Sequence, residues 1–568
     1  MKKHLLSIIA LILVSAMLLT ACGGAANSAP AANAPAQSGT SGNVSSSAET
    51  SGGTSTAEDM NSVYITPGTI ADEVDAAATS SKDTLVLRMA SDPGSLSPIG
   101  TSSYALEMLS LVSMPLLWPT DPGGKGDSLV WTINEKSLLD EYKWSDDNMT
   151  LYLTIKDGVK FSNGEEVKAS DVVFSMKTIY ADYTNAQMMD MDNIKVTGDY
   201  TLEIPMASMN ISFVSTLGLY YTFSEAAYNA CSDPAATFLT SSDLVSCGPY
   251  KIIDWASGDH VMMESNEYYV NGAPKIQYVN VRFISEHSVA TMELESGGVD
   301  VVEEPLWEDF KVVAEGGYGD GMAGWQSGGL YMAMVGFNAT SMFSDYNVRK
   351  AFCLALDKEE IYNGAWDGYG LNPYTVLATS FDSIKDYKDS WTLGRDTEAA
   401  KQLLADAGYP DGFTCRVIYN GDANQGLALQ IMKRQLNDVG ITLDIQAYDS
   451  ATYKDMMANE TDTWELWVRK WGSTGNPGQM ISGTFSKLMH FTDAEGGAEV
   501  IDYAERMSAA PSSDEYVQIV TEFQDRFWDD YLFWYPLQMQ SYTTLYNSNL
   551  KGASRIYVFF DFDNAYFT

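Results

Sequence analysis

Apolar positions follow different patterns in successive parts of the chain. Leu5 to Leu19 is almost unbrokenly apolar behind Lys2 and Lys3. At about 15 residues it is shorter than the roughly 20 that a membrane-crossing helix needs. From Gly23 to Ala48 there is neither charge nor aromatic ring, and no Lys or Arg occurs between Lys3 and Lys82; this composition predicts a disordered tether whose reach is roughly 40 Å. A short helix is expected near Asp72–Asp75. Regular structure is then expected to begin at Thr84, where Leu85, Leu87 and Met89 alternate as a half-buried strand does, a pattern repeated by Leu151, Leu153 and Ile155. Ser162-Asn163-Gly164 reads as a turn, and Ser170 as the N-cap of a helix that keeps Val172, Val173, Met176 and Tyr180 on one face.

Farther on, helical spacing takes over. Asp396 is the expected N-cap of a helix with Ala399, Leu403 and Ala407 along one side, stopped by Gly408 and Pro410. Thr414 to Tyr419 reads as a strand, Ala428, Met432, Leu436 and Val439 as a helical stripe ended by Gly440, and Ile441, Leu443 and Ile445 as the next strand. A crossover helix of that length joins parallel strands, so the fold class is α/β.

Composition narrows the function. The chain has 568 residues, 45% of them hydrophobic, which is enough for two to four domains. Its 75 acidic residues outweigh 34 basic ones, two of which are Lys2 and Lys3. That balance disfavours nucleic acid as a partner and repels anionic lipid. Of five cysteines, Cys231 and Cys247 flank a Ser-rich stretch whose spacing permits a disulfide without demanding one, while Cys353 and Cys415 read as buried free thiols.

Candidate chemistry is sparse. Gly319-Asp320-Gly321-Met322-Ala323-Gly324 matches a dinucleotide fingerprint, but the residues before it read as helix and those after it as strand, the reverse of what phosphate binding requires. A glycine-rich turn is expected. His4, His260, His287 and His490 form no metal-ligating motif, and no nucleophile elbow occurs. No metal, cofactor or catalytic residue is therefore assigned. The acidic pairs Glu303-Glu304 and Glu359-Glu360 read as solvated faces.

Two resemblances sharpen the picture. Leu19-Thr20-Ala21-Cys22 with Gly23 and Gly24 resembles the lipobox of bacterial lipoproteins. It implies cleavage of residues 1–21, a lipid on Cys22, a tether over 22–81, and an extracytoplasmic protein anchored to the cell membrane. The segment Leu151 to Met176 resembles the family-5 extracytoplasmic solute-binding proteins of ABC importers. Three further blocks follow in that family's order: Gly248-Pro249-Tyr250-Lys251; Phe337-Asn338 with Val348-Arg349-Lys350-Ala351; and Ala407-Gly408-Tyr409-Pro410-Asp411-Gly412-Phe413.

The resemblance implies a bilobed periplasmic-binding-protein-like clamp of type II, similar to cluster C, with an additional inserted domain. Domain I is expected at 82–105, 205–328 and 537–568, domain II at 106–204, and domain III at 329–536. The implied function is capture of a solute, a short peptide foremost, and its delivery to an importer's permease and ATPase by a monomer. The alternatives are an oligosaccharide or other polar solute, a ligand-sensing receptor component and, remotely, a secreted hydrolase. By family position Thr101, Ser102, Ser103 and Tyr104 are expected across a cleft from Trp471, Ser473, Gly475 and Asn476, with Phe337 and Asn338 at the domain crossing. Trp366, Tyr369 and Trp467 are further aromatic candidates, or else core. Ser473 stands where peptide binders commonly carry an aspartate for the peptide ammonium.

Overall fold

The computed structural model describes residues 78–568 except 99–102, 121–129, 379–383, 460–462 and 472–476. The signal, Cys22, nearly all of the tether, and the site candidates Thr101, Ser102, Ser473, Gly475 and Asn476 lie outside the described residues.

One ten-stranded sheet organises the molecule. Its strands are β1 (Thr84–Met89), β2 (Tyr250–Ala256), β3 (His260–Ser265), β4 (Tyr278–Phe283), β5 (Val301–Glu303), β6 (Met322–Phe337), β7 (Phe413–Tyr419), β8 (Ile441–Ala447), β9 (Leu466–Trp471) and β10 (Trp534–Asn547). They lie in the order β8-β7-β9-β6-β10-β5-β1-β4-β3-β2. β1 is parallel to β4 and β5, β7 is parallel to β8 and β9, and β6 runs antiparallel to both β9 and β10. The predicted β7–helix–β8 crossover is present, its helix spanning Ala423–Asn437 with Ala428, Met432 and Leu436 buried.

The apolar side chains separate into two large cores. One gathers Leu85, Leu87, Val281 and Val301 with the C-terminal Phe559, Phe560 and Phe567. The other gathers Val335, Phe352, Val417, Met432, Leu466 and Phe523. β6 and β10 run through both cores: Trp325 and Tyr542 belong to the first, Met334 and Tyr535 to the second. These two strands pair from Met322↔Asn547 to Gly336↔Trp534, with register shifts at Gly328/Met332 and Ala333/Met334. At about 3.3 Å per residue, β6 alone spans roughly 50 Å.

A four-stranded sheet is attached to the first core. It contains Leu139–Trp144, Thr150–Ile155, Lys195–Val196 and Thr201–Pro205, with the helix Ala169–Thr178 against it. The alternation read at Leu151, Leu153 and Ile155 holds. The N-cap does not: Ser170 lies exposed inside the first turn, and the Asp171 carboxylate accepts the Lys168 N–H at 2.9 Å. Asp396 caps its helix as expected, accepting from the Ala399 N–H, although the face is centred one residue later, on Ala400 and Leu404. Gly248 must be glycine, because a Cβ there would stand 2.3 Å from the Val112 carbonyl carbon. Cys231, Cys247, Cys353 and Cys415 are all free thiols.

The Gly319–Gly324 segment follows the helix Trp307–Ala314 and leads into β6, so it has the wrong order for a phosphate cradle. Among the described residues no helix is long and apolar enough to cross a membrane.

Candidate functional site

Between the two apolar cores the crossing strands turn polar. Gln326 and Ser327 on β6, and Gln538, Ser541, Thr543 and Thr544 on β10, are all buried. Gln326 Oε1, Ser327 Oγ, Gln538 Oε1 and Ser541 Oγ have no hydrogen-bond partner. A polar belt of this kind interrupts the hydrophobic contact that would otherwise weld the two cores together.

Beside this belt the first core buries charge. Helix α1 (Ser103–Val112) brings Glu107 inward, β5 brings Glu303, and Arg555 lies between them; all three are fully buried. Arg555 bonds Glu107 through Nη2, and the same nitrogen lies 3.7 Å from Glu303 Oε1. Arg88 donates to the Glu303 and Ile284 carbonyl oxygens at 2.7 and 2.8 Å. Both Glu303 carboxylate oxygens and Glu107 Oε2 lack hydrogen bonds. Burial, reinforced by the neighbouring carboxylates, raises both glutamates above the ordinary carboxylate range despite Arg555. Burial also raises the Tyr104 hydroxyl, and Glu303, Glu304 and Glu107 add to the effect. Sequence reasoning missed this cluster and took Glu303 for a solvated residue. It is the last residue of a short buried strand, and its alternation with Val302 turns it inward.

A pocket of about 500 Å³ lies between the lobes, walled on one side by Glu304 and by Trp307 of α2 (Trp307–Ala314). Opposite stand Trp366 at the end of α3 (Lys358–Trp366), Asp367, Tyr369, and Leu427 of α4 (Ala423–Asn437). Trp307 Nε1 donates to the Asp367 carbonyl at 2.9 Å, and Lys311 pairs with the Asp367 carboxylate. Glu304 and Asp367 have φ of 44° and 51°, in the left-handed region that side chains rarely adopt.

The predicted site residues therefore divide. Trp366 and Tyr369 come together in this pocket, Trp366 being 3% exposed and Tyr369 donating to the Ser541 carbonyl at 2.6 Å. Ser103 and Tyr104 open α1, and Tyr104 packs against the first core. Trp471 ends β9 against the second, under the Arg469 guanidinium at 4.4 Å.

Three candidates are structural instead. Phe337 is fully enclosed by Phe343 and Phe352. Asn338 donates to the Trp464 carbonyl at 3.0 Å and accepts from Thr340, so its amide serves a turn. Trp467 is fully buried against Gly336, where an added Cβ would lie 2.1 Å from the indole. Among the described residues no His, Cys, Asp and Glu cluster is arranged to hold a metal.

Residues 135–488 match the family model "Bacterial extracellular solute-binding proteins, family 5 Middle". A glutathione-binding protein from Salmonella paratyphi A is 23% identical over 73% of this chain and 82% of its own length. An oligopeptide-binding protein from Bacillus subtilis is 22% identical over 73% and 78%. Among solved structures, an ABC transporter substrate-binding protein from Listeria monocytogenes has a TM-score of 0.72 at 20% identity, covering 86% of this chain and 99% of that one. The oligopeptide-binding protein of Bacillus subtilis with a bound nonapeptide gives 0.62 at 20% identity, covering 86% and 100%. These relatives are binding proteins and not enzymes, and the fold is the bilobed α/β clamp. With the family model matching more than half of its length, the chain belongs to the family 5 bacterial extracellular solute-binding proteins.

Proposed function

We propose that this protein is anchored to the cell membrane by a lipid on Cys22, captures a short peptide between its lobes and hands it to the permease and ATPase of an ABC importer. The observation that carries the clamp is the polar belt on β6 and β10. Two apolar cores connected by strands whose buried side chains are polar can change their relative angle without tearing a common core. Ligand touching both lobes then favours closure by its differential affinity for the closed form. The domain limits that accompany this reading are 82–105, 205–328 and 537–568 for domain I, 106–204 for domain II and 329–536 for domain III. The peptide class is supported by the glutathione and oligopeptide relatives. Thr101, Ser102, Ser103, Tyr104, Trp471, Ser473, Gly475 and Asn476 are the proposed contacts, joined by Trp366 and Tyr369 at the interlobe pocket.

Thermal unfolding with pentaalanine, glutathione and maltotriose tests the ligand class. A peptide at a hundred times its Kd adds about 2.7 kcal/mol; stabilisation by the sugar alone overturns the peptide reading. Ser473→Asp is expected to favour peptides with a free N-terminus over their N-acetylated forms. For the anchor, Cys22→Ala should move the protein from the membrane fraction to the soluble one, and unchanged membrane association would place the anchor elsewhere.

A further inference from the structure

A second recess, of about 420 Å³, lies in the seam between the lobes. Trp131, Tyr142 and Trp144 line it from the attached four-stranded sheet and the neighbouring Val130–Thr132 strand. Tyr516 and Val517, on the helix Ser513–Arg526, line it from the other side. The walls belong to different cores: Trp131 and Trp144 pack on the first, and Tyr516 is buried in the second. Asn148 Nδ2 donates across this seam to the Pro511 carbonyl at 2.7 Å.

The platform is closely packed. The Trp131 ring lies so close to Gly218 that a Cβ there would fall 1.9 Å from it, and Phe559 meets the ring edge-on at 5.6 Å. Its Nε1 is buried without a hydrogen-bond partner. Tyr142 and Val517 are each 41% exposed, leaving apolar surface at the mouth. From Trp131 a file of touching rings runs through Phe559 and Tyr557 to Tyr542 on β10, with steps of 5.6, 6.3 and 5.3 Å. Packed rings of the first core thus connect the recess to the polar belt.

We propose that the recess is a specificity subsite that takes one aromatic side chain of the bound peptide, stacked on the Trp131 and Trp144 side and covered by Tyr516. The recess has room for one large side chain of a longer ligand, and offset or edge-on ring contacts reward an aromatic over an aliphatic group. Because its walls come from both lobes, filling it favours the closed arrangement and discriminates among peptides. This inference rests on the peptide reading above.

The test measures binding by the full mature chain of pentaalanine and of five pentapeptides, each carrying one Phe in a different position. At one position Phe should tighten binding at least tenfold over pentaalanine. Tyr516→Ala should abolish that advantage and leave pentaalanine affinity unchanged. Val517→Arg, at the exposed mouth, provides a second variant with no core side chain removed and should do the same. Phe peptides no tighter than pentaalanine, or an advantage that survives both substitutions, would overturn the subsite while leaving the peptide reading intact. Failure of every peptide, pentaalanine included, would overturn both.

Discussion

Arg349 and Arg555 are both fully buried arginines, one in each core, and their surroundings differ in kind. Arg349, in the second core, gives its guanidinium to backbone oxygens alone, those of Phe343, Ser344, Glu495 and Tyr531, at 2.7 to 3.3 Å. The Phe533 ring lies 4.2 Å away. Lys358 in the same core follows suit, donating to the Pro536 carbonyl at 2.7 Å among the rings of Tyr374, Trp391 and Tyr535. Arg555, in the first core, instead meets two carboxylates. The second core thus buries cations against fixed dipoles, whereas the first, which holds Arg88 in the same way, also buries acids that can take up protons. Acid costs the second arrangement stability through its lysine, whereas it relieves the first.

The largest test of that contrast removes the arginines. Arg349→Met leaves several carbonyl oxygens unpaired and should cost about 3 to 5 kcal/mol, equally at pH 5 and pH 8, in urea unfolding. Arg555→Met should cost a similar amount at pH 8, where Glu107 loses its counter-charge, and clearly less at pH 5, below the value of about 7 to which burial raises Glu107. Equal losses at both pH values for Arg555→Met would break the comparison.

Smaller effects follow from the acids. Because the folded pKa of Glu107 and Glu303 lies above the unfolded one, the folded state holds more protons between those values. Stability from this cluster is therefore full below the ordinary carboxylate range and is lost as pH rises. Glu303→Gln should stabilise the fold more as pH rises, with the gain read from the melting temperature across the pH range.

Lys358 has the opposite sign. Burial pushes its ammonium down to about 7, so between there and the ordinary lysine value the unfolded chain holds more protons and stability rises with pH. Lys358→Met should flatten that rise between pH 7 and pH 10, a change of about 3 kcal/mol; an unaltered slope would locate the titration elsewhere. The smallest expected effect is none: with all four described cysteines free, a thiol reductant should leave the melting temperature unchanged, which a Cys231–Cys247 bridge would not allow.

Much of the architecture was legible wherever periodicity was clean. β1, Thr150–Ile155 and the β7–α4–β8 unit lie close to where alternation and helical stripes indicated. Caps were less secure: the helix begins one residue before Ser170, with Lys168 at its N-cap, and the Asp171 carboxylate reaches back from the first turn to the Lys168 N–H. The site was harder to read. Trp366 and Trp467 are indistinguishable as letters, yet one borders a pocket and the other lies beneath Gly336. The Glu107–Arg555–Glu303 cluster joins residues hundreds of positions apart, and no local spacing announces it.

The order in which the chain becomes available sets a final consequence. Residues of the second core lie between Met332 and Met539, a continuous stretch. The first core needs Leu85 at one end and Phe567 at the other, and the Ser81 N–H donates to the Phe567 carbonyl. As the polypeptide lengthens from its N-terminus, the second core has all its members before the first does. Until the last residues exist, β1 and the strands around it lack the aromatic cluster of Phe559, Phe560 and Phe567. The early-made half is the one left waiting with apolar surface uncovered, and a truncation of only ten residues at the C-terminus strikes the core whose first strand begins at Thr84.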